Sequence, residues 1–281
     1  MNKKGEVLKI IRVSSISEYV YCPMKLYLRY NVEETPKNPL MISGRLIHEI
    51  RNEFHELVKR DLRSINANME FKEIFNKIFN NLHSILERNL LNHPDLEFLE
   101  KTEIEEMFRK IINQIKSESC IIALKIKSFM DETGKDASQI SALLFPSSII
   151  EYKIEDRELG LRGIIDKIEV SDGIYYPVEI KSGKPPLKGV WESDELQIAA
   201  YGILIEKEFD TEVLVGFVDY LKINERRPVV LNSKLRQKLL KTIEDLYTMF
   251  EGNIPEIDLN KNKCRLCEYS DYCEYFHDIN F

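Results

Sequence analysis

Residues 161–181 read LRGIIDKIEVSDGIYYPVEIK, and this stretch constrains the fold more than any other. Asp172-Gly173 is a favoured two-residue hairpin turn between two runs rich in Ile, Val and Tyr. With Ser171 opposing Ile174, counting back along both strands sets Asp166 directly opposite Glu179. Facing residues on an antiparallel pair project to one side, with Cβ atoms about 4.5–5.5 Å apart. Lys181, two residues beyond Glu179, shares that face. Two like charges so close, flanked by Ile164, Ile165, Val178 and Ile180, repel each other in a partly apolar setting. A divalent cation between them removes the conflict. Two carboxylates holding Mg²⁺ or Mn²⁺, with a lysine to orient water or stabilise charge on phosphate, make a layout suited to phosphodiester hydrolysis. Pro177 is the counter-signal, because a mid-strand proline often marks an edge or a bulge, and a bulge shifts the register by one. The competing reading is an exposed hairpin with an ordinary charged face.

The chain around this hairpin divides by periodicity. Ser14, Ser15 and Ser17 precede a short helical pattern that runs into Tyr21-Cys22-Pro23, and Pro23 suits the first turn of the next helix. A Pro- and Asn-rich loop is expected over 35–39. From about Ile42 to Leu144 the period is 3.6, as in Leu46, Ile50, Phe54, Leu57 and Ile74, Ile78, Leu82, Ile85. Asn92-His93-Pro94 interrupts it, with Pro94 placed to start another helix. After Pro146, strands are expected over 149–154, 159–170, 174–180, 213–220 and 228–231, with helices over 192–206 and 233–250, the last capped by Ser233. Strands bracketed by helices indicate an α/β fold with a mixed sheet. The expected organisation is one domain over 1–281, with a helical block at 49–146 inside it and a C-terminal cysteine region at 253–281.

Charge and cysteine usage narrow the function classes. A net charge of −7 excludes a wholesale basic coat, so any nucleic-acid surface is local. No apolar run reaches the ~20 residues that span a bilayer, and the start MNKKGEVLKIIR lacks a signal-peptide core, so a cytoplasmic protein is expected. Five cysteines then point to a metal or redox site instead of disulfides. Cys264 and Cys267 can grip one centre from a single turn, and Cys273 folds back onto it. Three thiolates are an incomplete set. Cys120 lies in an apolar helical stretch and reads as a buried small hydrophobe. Cys22, in a short interruption beside Pro23, suits a ligand better, while His277 would instead complete a zinc site.

Asp166, twelve residues, then Glu179-Ile180-Lys181 is similar to the D…(D/E)xK signature of restriction-endonuclease-like nucleases. Ile165 stands where that family often has proline. Gly44-Arg45-Leu46-Ile47-His48 resembles the upstream histidine motif of the RecB subgroup, and Gln197 to Tyr201 its Q-x-x-x-Y motif. Tyr21-Cys22-Pro23 together with C-x₂-C-x₅-C at the far end resembles the iron–sulfur members, and a stand-alone chain without a Walker loop most resembles the CRISPR-associated exonuclease family. The resemblance implies a restriction-endonuclease-like (PD-(D/E)xK, RecB-type) mixed sheet flanked by helices, with an iron–sulfur region joining the chain ends. It implies a Mg²⁺- or Mn²⁺-dependent DNA exonuclease, preferring single strands, that processes ends for spacer acquisition with the spacer-integrase proteins. His48, Asp166, Glu179 and the Ile180 carbonyl would bind the metal. Lys181 would position water, and Gln197 and Tyr201 would support Lys181 or contact DNA. Cys22, Cys264, Cys267 and Cys273 would hold a [4Fe–4S] cluster.

Candidate DNA contacts are Lys181, Lys184 and Lys188 with the loop 182–189, the stretches 222–227 and 234–241, Lys25 and Arg29. Trp191, Tyr201 and Tyr220 are candidates to stack on bases, Tyr220 reading more readily as core. Two alternatives stay open: a RecB-like repair nuclease outside CRISPR, and a non-catalytic DNA-binding subunit with structural zinc.

Overall fold

The computed structural model describes residues 10–33, 39–90, 93–145, 147–257 and 260–273. In chain order the elements begin with β1 (Ile11–Arg12), α1 (Val13–Tyr21), α2 (Pro23–Asn31) and α3 (Pro39–Asp61). Then come α4 (Phe71–Phe79), α5 (Asn81–Leu90), α6 (Lys101–Thr133) and α7 (Ser141–Leu144). The strands β2 (Ser147–Asp156), β3 (Leu161–Ser171) and β4 (Ile174–Lys181) lead to α8 (Glu192–Phe209). The chain continues through β5 (Val215–Tyr220), β6 (Glu225–Val230), α9 (Ser233–Phe250) and α10 (Lys261–Cys264). They form two compact units, one of residues 1–37, 148–220 and 225–281, the other of residues 38–147 and 221–224.

The first unit carries the mixed sheet, of six strands among the described residues. β1 pairs parallel with β3, β3 antiparallel with β4, β4 parallel with β5, and β5 antiparallel with β6, while β2 also pairs β3. Asp172 and Gly173 both have positive φ, 52° and 78°, the conformation of a two-residue turn whose twist matches the strands. The register runs from Ser171 opposite Ile174 to Lys167 opposite Val178, with Ile168 facing Pro177 and no bulge. Pro177 therefore leaves the expected register intact.

α8 crosses from β4 to its parallel neighbour β5, as parallel strands require. It packs on β3, β4 and β5 and also meets α1 and α9, so nearly every residue from Leu196 to Ile205 is buried. Close approach is possible because Gly163 lacks a side chain: a Cβ there would lie 2.7 Å from Tyr201 Cε1. α9 has the expected bounds, but its cap is Asn232, whose side chain accepts the Leu235 N–H at 2.9 Å. Ser233 is the first helical residue.

Other sequence expectations shift locally. Ser14, Ser15 and Ser17 lie inside α1, where Ser15 is buried and its Oγ meets Tyr30 Oη at 3.3 Å. β1 was not expected, since two residues carry no periodicity. Pro23 opens α2 as expected. Pro39, expected in a loop, opens α3. Pro94 starts a short 3₁₀ turn, and the long helix begins only at Lys101, behind a Glu100/Glu103 capping box.

The second unit is helical. Its core is built from stripes at helical spacing: Ile42, Leu46, Ile50, Phe54 and Val58 on α3, and Met107, Ile111, Ile115, Ile122 and Ile126 on α6. Val58, not Leu57, completes the first stripe at full burial. No helix among the described residues is long and apolar enough to cross a membrane.

Candidate functional site

Asp166 on β3 and Glu179 on β4 each lie one step past the last paired residues of the hairpin ladder, and Lys181 lies two residues farther along β4. There the Asp166 side chain reaches across the strands, and its Oδ2 accepts the Ile180 backbone N–H at 2.8 Å. Glu179 is 7% exposed. Lys181 Nζ donates to Glu179 Oε1 at 3.0 Å and to Gln197 Oε1 at 2.8 Å. Gln197 Nε2 donates to Tyr201 Oη at 3.3 Å, and Tyr201 Oη donates to the Ile164 carbonyl at 2.8 Å. Asp166, Glu179, Lys181, Gln197 and Tyr201 are thus drawn together. One turn of α8 lies over one hairpin.

Asp194 adds a residue that sequence reasoning missed. It is buried on the first turn of α8, with Oδ1 3.6 Å from Lys181 Nζ and Oδ2 accepting the Tyr220 hydroxyl at 2.8 Å. The available signal was its position three residues before Gln197, a spacing that puts both on one helix face. Burial alone would pull the Lys181 ammonium down in pKa. The surrounding Glu179, Asp194 and Asp166 more than reverse this and hold it above its ordinary value. Burial, then Glu179, pushes the Tyr201 phenol well up, so it stays a neutral donor.

Burial corrects one candidate stacking residue and agrees with the core reading of the other. Tyr201 is 3% exposed and Tyr220 1%, so neither ring can meet a base. Trp191 is 50% exposed, with its indole N–H on the Lys184 carbonyl at 2.9 Å. Arg226 is committed to Glu169 and Asp219, and Arg227 to Glu225 and loop carbonyls. Lys25 pairs with Glu268 and Arg29 with Glu18. Lys184 and Lys188 stay exposed. His48 lies on α3 in the helical unit, partly buried.

Four of the cysteines gather at a second place in the fold. Cys22, between α1 and α2, and Cys264, Cys267 and Cys273 line one cavity of about 30 Å³, together with Tyr21 and Lys263. No described cysteine forms a disulfide. Lys263 Nζ donates to the Tyr21 carbonyl at 2.7 Å and sits 4.6 Å from its ring centre, tying the two chain ends at the cavity wall. Cys120 is on α6 and only partly buried, against the expectation of a buried hydrophobe. His277 lies outside the described residues.

Among the described residues, no three His, Cys, Asp or Glu side chains are set closely enough to hold a single metal ion. The Asp166 and Glu179 carboxylates with a backbone carbonyl would offer a cation at the hairpin the hard oxygens that Mg²⁺ takes. Four sulfurs spread around a cavity suit a polynuclear cluster, whose corners hold its thiolates farther apart than one ion does.

A profile of the PD-(D/E)XK nuclease superfamily matches residues 12–274. Curated relatives are named as CRISPR-associated. The chain is 31% identical over 121 residues to the CRISPR-associated exonuclease Cas4 of Francisella tularensis subsp. novicida, covering 43% of this chain and 59% of that protein. It is 27% identical over 130 residues to a Cas4/endonuclease Cas1 fusion of Leptospira interrogans, covering 44% of this chain and 24% of the fusion. Against the Cas4 exonuclease of Thermoproteus tenax the identity is 22% over 51% of this chain and 75% of the relative. The chain thus matches less than two thirds of the length of the first two.

Proposed function

The chain belongs to the PD-(D/E)XK nuclease superfamily, with its likeness to the CRISPR-associated, RecB-like Cas4 family, and on that premise we propose that it is a divalent-metal-dependent DNA exonuclease trimming single-stranded ends. The observation that carries this reading is the Lys181 ammonium held between Glu179 and Gln197 beside Asp166. Asp166, Glu179 and the Ile180 carbonyl would hold Mg²⁺ or Mn²⁺, which when bound supplies Lewis-acid polarisation of the phosphate and of water.

The chain's own residues do the positioning. Lys181 Nζ has three N–H bonds, and Glu179 and Gln197 take two of them. Asp194, at 3.6 Å, is beyond hydrogen-bond length, which leaves the third N–H for the attacking water or a phosphoryl oxygen. Tyr201, fixed by Ile164, orients the Gln197 amide so that its oxygen faces the lysine. Asp166 is anchored through Oδ2 on the Ile180 N–H, which fixes its carboxylate across the two strands.

The cavity thiols Cys22, Cys264, Cys267 and Cys273 are assigned to a [4Fe–4S] cluster that closes the chain ends. Among the relatives, fusion with Cas1 supports a partner of that spacer-integrase kind. The deciding experiment incubates the protein with end-labelled single- and double-stranded DNA, with and without Mn²⁺. Shortening from the ends that requires Mn²⁺ and is absent in Lys181→Ala is expected. Intact DNA under every metal condition would overturn the reading.

A further inference from the structure

The loop from Ser182 to Trp191, between β4 and α8, carries Leu187 at 101% exposure. A lone exposed leucine is ordinary. This one sits on a braced tip. Pro185 and Pro186 restrict the backbone just before it. Arg227 Nη1 donates to the Pro186 carbonyl at 2.8 Å and to the Gly189 carbonyl at 2.6 Å, bracketing Leu187 and Lys188. The Trp191 indole holds the Lys184 carbonyl from the other side.

The brace continues to the lysine of the proposed site. The Arg227 guanidinium lies 5.4 Å from the centre of the Tyr220 ring. Tyr220 Oη accepts the Trp191 backbone N–H at 3.3 Å and donates to Asp194, which neighbours Lys181 Nζ. The leucine tip therefore keeps a fixed position relative to Lys181. A slack loop would fold its leucine back onto the protein, and this one is held away from it. Lys184 and Lys188, both exposed, flank the tip with positive charge.

We propose that Leu187 is a wedge that unstacks the terminal base pair of a DNA duplex, delivering one strand toward Lys181 while Lys184 and Lys188 contact the backbone phosphates. The proposal rests on the reading of the chain as a DNA exonuclease and extends its substrates to duplex ends. Inserted apolar side chains, leucine among them, unstack base steps, and a terminal pair has only one stacked neighbour to lose. Because the loop is ordered before binding, little conformational freedom is lost on contact. The half-exposed Trp191 ring offers a stacking surface for the displaced base.

The test uses the full chain and a blunt duplex with 2-aminopurine in its terminal pair, without divalent cation so that no cleavage intervenes. The wild-type protein is expected to raise the fluorescence, Leu187→Phe to keep the rise, and Leu187→Ala to lose most of it with single-strand binding unchanged. With Mn²⁺, the duplex-to-single-strand rate ratio of Leu187→Ala should fall about tenfold. No rise with the wild type, or an equal rise with Leu187→Ala, overturns the wedge. So does a Leu187→Ala defect confined to binding a Cas1-type protein. Failure of the nuclease reading shows separately, as single strands left intact by the wild type in Mn²⁺.

Discussion

Lys181 at the end of β4 and Gln197 on α8 meet side chain to side chain, Nζ donating to Oε1 at 2.8 Å across sixteen residues. The contact joins a strand lysine to a helix that the chain reaches only after a ten-residue loop. Removing the ammonium should therefore act on chemistry directly. Lys181→Ala is expected to lose cleavage by at least about a hundredfold while DNA affinity stays near wild type. Gln197→Ala, which only loosens the lysine, should lose less. Initial rates and fluorescence anisotropy on one oligonucleotide separate the two, and wild-type turnover in Lys181→Ala would sink the assignment.

Asp166→Ala and Glu179→Ala should each lose both Mn²⁺ binding and cleavage, because each removes one of the two carboxylates proposed to hold the cation. Titration calorimetry with Mn²⁺ provides the check. Full affinity in either variant would show that the two do not act on one cation.

Gly163 sits beneath the Tyr201 ring. A methyl group there would lie 2.7 Å from Tyr201 Cε1 and 3.2 Å from Val13 Cγ2, so Gly163→Ala must displace the ring that orients Gln197. The expected cost is about 1–3 kcal/mol of stability together with a drop in cleavage rate. Thermal melts and rates should fall together; a variant as stable and active as wild type would refute the coupling.

In the helical unit, Glu118 accepts Arg51 Nε at 3.1 Å and Nη2 at 2.8 Å, with His55 Nε2 also 2.7 Å away. Burial would raise this carboxyl's pKa, but Arg51 and His55 hold it well below the usual carboxylate range. A depressed folded value means the stabilisation is complete above the unfolded pKa, about 4.3, and is lost as pH falls below it. Glu118→Gln should flatten the acid limb of stability measured by urea unfolding between about pH 5 and 2. At pH 7 the same variant should be about 3 kcal/mol less stable, since Arg51 is left without its carboxylate. An unchanged acid limb would contradict the pairing.

Cys22 and Cys264 are 242 positions apart, so a shared cluster would constrain the unfolded chain as a very long loop closure does, worth several kcal/mol in order of magnitude. Cys22→Ser is expected to lose iron and brown colour and to melt lower, with residual nuclease activity in the folded fraction. Cys120→Ser, on α6, should keep the iron. Iron that survives the first change and not the second would reassign the fourth ligand, and zinc in place of iron in the wild type would remove the cluster.

The hairpin was legible because its turn is encoded locally: Asp172-Gly173 fixes the register, and a period of two then sets Asp166, Glu179 and Lys181 on one side. Helices with continuous apolar stripes, such as α3 and α9, were legible for the same reason. For His48, on the helical unit, the motif resemblance remains the sole support. Tertiary packing decided what local pattern cannot. Whether a polar or aromatic side chain leaves water depends on partners far along the chain, so Tyr201 turned out buried and Asp194 joined the lysine. The two-residue β1 exists only because β3 is there to pair with it. Periodicity and turn chemistry are properties of neighbours in sequence; desolvation and charge pairing are properties of neighbours in space, and the lysine's setting is of the second kind.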